Sequence, residues 1–184
     1  MMDSKHNILV AVFMVVVLCK IECCPKGWVE RGSSCIVLEL DSKAQPKAHV
    51  ACTGLKAHVA TIDSAEKQTF LSELMKERRV STIWLDIRDV LEEGTFIDRY
   101  NKPITYSDWL PGAPSTGPEG ELTDCVYYSI EGVGGWNDFN CAATFPYFCE
   151  RETLCANDTC KNDGRCNEFD SSFNCTCKQG YFGE

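Results

Sequence analysis

The chain has 184 residues, among them 13 cysteines, with 27 acidic against 18 basic side chains and a formal net charge of -9. That length allows one ordinary domain plus a small one. The acidic excess, without a clustered Lys/Arg face, argues against nucleic acid or an anionic membrane as partner.

Thiols in such number, spread over the whole length, point to an oxidising compartment. At the start, Lys5 and His6 precede an apolar run over 8–18. That run is too short to span a bilayer and suits a secretory signal, so residues 1–19 are predicted to be a signal peptide, with cleavage between 19 and 23. A secreted or extracellular protein follows, cell-surface if a later segment carries an anchor. No other segment approaches membrane length.

The stretch CPKGW at 24–28, followed by Cys35, predicts a hairpin closed by a local disulfide, with Gly27 and Gly32 in its turns. Ser42 and Gln45 are spaced as a capping box, and Pro46 fits the first turn. With Ala44, Ala48, Cys52 and Leu55 at helical spacing, a first helix is expected over 44–54. His58, Ala60 and Ile62 alternate with Val59 and Thr61 as a short buried strand would. Asp63 and Glu66 form a second capping box, and the stripe Phe70, Leu71, Leu74, Met75 predicts an amphipathic helix to about 78.

TIWLDI at 82–87 is β-rich, with Trp84 placed in the core. Phe96 and Ile97 read as a further strand before a turn at 101–103. Residues 109–150 read as a long surface loop stapled to a small sheet, with strands over 125–130 and 147–150 and another opening at Trp136. A loop held that firmly is usually a binding surface. The fold class expected is α+β, two helices flanking a small antiparallel sheet, ending at about 150. His6, His49 and His58 have no nucleophile or metal-ligand partner at suggestive spacing, so no enzyme is expected.

CPKGW with Cys35, A-x-x-x-C-x-x-L at 48–55, the WLDI strand, W-x-x-G-x-P at 109–114, Asp124-Cys125, WND at 136–138 and C-x7-C from Cys141 to Cys149 together resemble the C-type lectin-like domain. The match covers 24–150 and implies three disulfides, Cys24–Cys35, Cys52–Cys149 and Cys125–Cys141. Joining the first helix to the last strand closes nearly the whole domain, a constraint worth ~4 to 5 kcal/mol in chain-entropy models.

Residues 151–184 carry C-x4-C-x5-C-x8-C-x-C followed by GYFG, which resembles an incomplete epidermal growth factor-like module. The implied pairs are Cys155–Cys166 and Cys160–Cys175, with Cys177 left to a sixth cysteine beyond this sequence; a fragment of a longer protein is therefore expected. Cys23 has no obvious partner. Glu152 is the one acid before the first cysteine, and the inner acidic position falls on Glu168, so a structural spacer is expected in place of a calcium site. Asn157 and Asn174 head glycosylation sequons. The order of modules is that of the selectins.

In sugar-binding C-type lectins, the resemblance implies a calcium ion held by an acid/amide-Pro-acid/amide triplet, a Glu two residues before the following Cys, and the Asn-Asp of WND. Calcium takes six to eight oxygen ligands. Here the triplet reads Ala113-Pro114-Ser115, and Thr123 precedes Cys125 by two. Asn137 and Asp138 remain as an incomplete calcium site, with Ser115, Glu119 and Glu121 as further candidate ligand-binding residues. The expected function is extracellular recognition of a glycan or glycoprotein in adhesion or immune recognition. The alternative is calcium-independent binding of a protein ligand through the same loop face.

Overall fold

A computed structural model describes residues 24–115, 122–155, 159–160, 164–169 and 172–176. The expected signal peptide and its cleavage region, Cys23, Glu119, Glu121, Asn157 and Cys177 lie outside the described residues.

The chain begins with β1 (Val29–Arg31) and β2 (Ser34–Lys43), paired antiparallel and closed by the Cys24–Cys35 disulfide. Gly32 turns between them at φ 58°, a left-handed conformation that glycine adopts at no steric cost. Because β2 runs through Ser42, that residue does not cap the first helix. Instead α1 (Gln45–Gly54) starts from Ala44 without a side-chain cap, and Pro46 sits in the first turn, where its missing N–H leaves no helical bond unmade. Its inward face is Gln45, Ala48 and Cys52, and the two small residues let the helix approach Val59, Trp84 and Tyr147.

β3 is shorter than the alternating pattern suggested, only His58–Val59, although Ala60 and Ile62 are buried beyond it. α2 (Ala65–Arg78) is capped by Ser64 and not by Asp63: the Ser64 hydroxyl accepts from the Lys67 backbone N–H at 3.3 Å. Leu71 and Met75 are fully buried, with Phe70 and Leu74 packed beside them. Lys67 Nζ also meets Glu150 at 2.7 Å, both side chains enclosed, which ties this helix to the last strand of the domain.

The rest of the sheet is β4 (Thr82–Arg88), β5 (Cys125–Ser129), β6 (Gly135–Phe139) and β7 (Phe145–Glu152), in the order β1-β2-β7-β4-β5-β6 with β3 on β7. It is not wholly antiparallel, since β4 and β7 pair in parallel at Trp84 and Tyr147. Phe96 and Ile97 do not form a strand; Ile97 makes isolated bridges to Arg88 and Pro103. β4 is buried on both faces along its apolar residues, with Asp86 enclosed among them. Ile83, Leu85 and Ile87 join the larger core with α2, while Trp84 joins the smaller one under α1. Cys52–Cys149 bridges α1 to β7, and Cys125–Cys141 bridges the start of β5 to the segment after β6.

β8 (Arg165–Phe169) and β9 (Ser172–Thr176) make a separate hairpin, with disulfides Cys155–Cys166 and Cys160–Cys175. Glu168 anchors this hairpin to the end of β7. Its fully enclosed carboxylate accepts from Arg151 Nη2 at 2.9 Å, Thr153 Oγ1 at 2.6 Å, Cys155 N–H at 3.0 Å and Leu154 N–H. Among the described residues, no helix is long and apolar enough to cross a membrane.

Candidate functional site

The WND triplet forms the centre of β6. Trp136 is fully buried and stacks edge-on against Tyr106 and Trp109, while its Nε1–H donates to Gln68 Oε1 at 2.9 Å. The entry to the long loop is sewn to the same residue: Trp136 N–H donates to Asp108 O at 2.7 Å, and Leu110 N–H donates to Trp136 O at 2.8 Å. This close approach needs Gly135, because a Cβ there would lie 2.9 Å from the Asp108 carbonyl. Trp136 is thus a structural pin for the loop.

Asn137 and Asp138 have different partners. Asn137 Nδ2 lies 3.3 Å from the Tyr127 hydroxyl, beside rings of Phe139 and Phe145 that pack on Tyr127. Asp138 is only 2 % exposed, and both of its oxygens are engaged within the loop. Ser115 N–H, which follows the cis Ala113–Pro114 bond, donates to Oδ1 at 2.8 Å, and Thr123 Oγ1 donates to Oδ2 at 2.6 Å. One buried carboxylate therefore clasps both described borders of the loop, at Ser115 and at Thr123.

Beneath the clasp, Asp89 is buried, with Oδ2 accepting from Gly94 N–H at 2.9 Å. Burial pushes its carboxyl above the ordinary range, and the nearby Asp124 and Asp138 charges push the same way against the Gly94 bond. A second buried acid, Asp86 on β4, has neither oxygen hydrogen-bonded. His49 Nδ1 at 3.7 Å and Arg88 Nη1 at 3.9 Å are the basic groups nearest to it. Burial raises this carboxyl too, with His49 and Arg88 opposing the rise.

Among the described residues, the set of donors does not fit the calcium shell that the WND pattern suggests. Ala113 has no side-chain oxygen, Ser115 and Thr123 have only neutral hydroxyls, of which that of Thr123 is donated to Asp138, and both Asp138 oxygens already accept hydrogen bonds. Calcium needs several such oxygens free to converge. Among the described residues, no group of three His, Cys, Asp or Glu side chains is placed to hold a metal ion.

Of the candidate ligand-binding residues, Ser115, Asn137 and Asp138 are among the described residues. Ser115 and Asp138 are brought together; Asn137 turns to Tyr127. Glu119 and Glu121 are not described. Thr123, which stands where the family pattern has a Glu, is a donor to Asp138, a role that its identity alone does not reveal.

The comparisons with known proteins agree with this architecture. The Lectin C-type domain family matches residues 41–151, and the EGF-like domain family matches 155–184. The mouse low affinity immunoglobulin epsilon Fc receptor is 32% identical over 133 residues, which are 72% of this chain and 38% of the receptor. The chain thus spans well under half the length of that relative. The cow C-type carbohydrate-recognition domain of CD23, solved in the presence of GlcNAc2Man3 oligosaccharide, is 32% identical, with a TM-score of 0.61 covering 72% of this chain and 98% of that one. The mouse scavenger receptor C-type lectin carbohydrate-recognition domain superposes with a TM-score of 0.64 at 25% identity, over 71% of this chain and 98% of that one. With the domain match covering well over half of the 184 residues, and an EGF-like domain after it, the chain belongs to the C-type lectin family.

Proposed function

We propose that this protein is an extracellular recognition module whose long-loop face binds carbohydrate without a calcium ion in the family's usual shell. The observation that carries this reading is the Asp138 clasp: the carboxylate that would ligate the ion is bonded on both oxygens to Ser115 and Thr123. Loop borders held together by hydrogen bonds to Asp138 need no metal between them, and preorganisation lowers the cost of binding. The 32% identical cow domain solved with an oligosaccharide supports a sugar as ligand. The apolar run at 8–18 and the disulfides support secretion. An adhesion or immune role, and a binding module in place of an enzyme, belong to the same proposal.

A protein ligand on the same face is the second reading. Leu122, next to the loop border at Thr123, is 70% exposed, an apolar group of the kind that anchors protein contacts. The relative named as an immunoglobulin epsilon Fc receptor points the same way. A glycan array probed with and without chelator tests both. Binding unchanged by chelator supports the proposal; binding abolished by chelator refutes its metal-free part. No glycan signal, with capture of a glycan-free protein, favours the second reading.

A further inference from the structure

Away from the long loop, a groove of about 660 Å³ opens where the end of α1, the segment at Arg99 and the end of β7 meet. Its walls include Lys56, His58, Arg99, Tyr100, Arg151 and Glu152. None of its lining residues comes from the loop that carries WND. In a chain of net charge -9, three of the ionised side chains here are cations and one, Glu152, is an acid.

The cations differ in their engagement. Arg151 is nearly enclosed and already paired with Glu168 at 2.9 Å, with its guanidinium 5.4 Å from the Trp28 ring, so it forms a fixed floor. Lys56 sits just past the end of α1 at φ 54° and is exposed, and Arg99 lies 4.4 Å from the centre of the Tyr100 ring, to whose hydroxyl it also donates. Among the described residues, neither Lys56 nor Arg99 has a carboxylate within ion-pair distance. Two uncompensated cations thus face one opening, beside a tyrosine that is 62% exposed.

We propose that this groove is a second binding site, for a sulfated oligosaccharide. A guanidinium fork matches the oxygens of a sulfate in pairs, and an ammonium supplies a mobile point charge for another. The Tyr100 ring gives an apolar wall to the flat face of a sugar ring, with its hydroxyl end polar. Its walls are mainly charged and aromatic side chains, with Lys56 and Tyr100 exposed, which suits an extended chain better than a small enclosed ligand. An anionic peptide shares the charge and lacks the flat polar rings; it is the competing outcome below. Glu152 opposes the ligand, and its removal should tighten binding.

The test is calorimetric titration of the whole chain with a heparin-derived hexasaccharide in chelator, alongside an uncharged hexasaccharide and a sulfotyrosine peptide. The sulfated sugar binds more tightly than the uncharged one, and its affinity falls with added salt. Lys56→Gln with Arg99→Gln lowers affinity by at least about tenfold, since each tenfold step is about 1.4 kcal/mol and charge-assisted bonds are of that order. Glu152→Gln raises it. Asn137→Ala leaves it unchanged, which separates this site from the long-loop reading, whose failure would not affect it. Unchanged thermal unfolding of the double variant confirms that its fold is intact. No binding of the hexasaccharide, equal binding by the double variant, or binding of the peptide alone would overturn the proposal.

Discussion

Thr123→Val is the sharpest probe of the long-loop clasp. The substitution keeps the branched shape and removes only the hydroxyl that donates to Asp138 Oδ2 at 2.6 Å. Asp138 is 2 % exposed, so water cannot replace the lost donor and a carboxylate oxygen is left unsatisfied. Hydrogen bonds to charged groups are worth about 1.5–3 kcal/mol, and stranding one buried partner costs toward the upper end. A loss of about 2 kcal/mol in a domain of this size lowers the melting temperature by about 4–8 °C. The assay is thermal unfolding followed by circular dichroism in chelator, where no metal can substitute for the clasp. A variant that melts within a degree of the parent would refute the reasoning. So would a parent protein strongly stabilised by calcium: an ion at one hundred times its dissociation constant adds about 2.7 kcal/mol, as large as the clasp itself.

Three further outcomes follow from the packing. Replacing Cys52 and Cys149 by serine opens a closure of 97 residues, against 16 for Cys125 and Cys141. Chain entropy assigns these about 4.7 and about 3 kcal/mol, so the first pair should unfold at clearly lower temperature, and equal melting would contradict that ranking. Glu168→Gln leaves Arg151 enclosed without its counter-charge, so limited proteolysis should cut between the lectin domain and the EGF-like hairpin in the variant before it does so in the parent. Asp86→Asn should raise the melting temperature at neutral pH. Burial raises the Asp86 carboxyl in the folded state, so its contribution is complete below the unfolded carboxyl value and is lost as pH rises through the folded one. The advantage of asparagine should therefore shrink as pH falls toward about 4, and a pH-independent difference would exclude the mechanism.

The elements legible in the sequence are those set by spacing and local propensity. Helix α2 was expected from the stripe at Leu71 and Met75, and both are buried. The cap was misread by one residue: Asp63 and Ser64 are both good caps, and only the chain's direction into the helix selects the Ser64 hydroxyl. Ser42 looked like a cap because its three-residue spacing to Gln45 fits the motif, but β2 pairs with β7 as far as Lys43 and holds that segment extended. Long-range pairing overrode a local signal there. The parallel contact of β4 with β7 has no local signature, as it depends on a chain return across more than sixty residues.

The same division runs through the site. Order and spacing of cysteines, glycines and tryptophans carry the family and its modules, because such features constrain backbone geometry wherever they occur. The missing carboxylates at Ala113, Ser115 and Thr123 are equally plain from residue identity. Their consequence is not, because it depends on what stands beside Asp138 in space. Folding brings Ser115 and Thr123 onto that carboxylate and turns an incomplete metal shell into a hydrogen-bonded clasp. It also gathers Lys56, Arg99 and Arg151, separated widely along the chain, around one groove. Charge and hydrogen-bonding capacity belong to residues and are read directly; which of them meet is decided by tertiary packing, where interactions act over a few ångströms and sequence distance has no bearing.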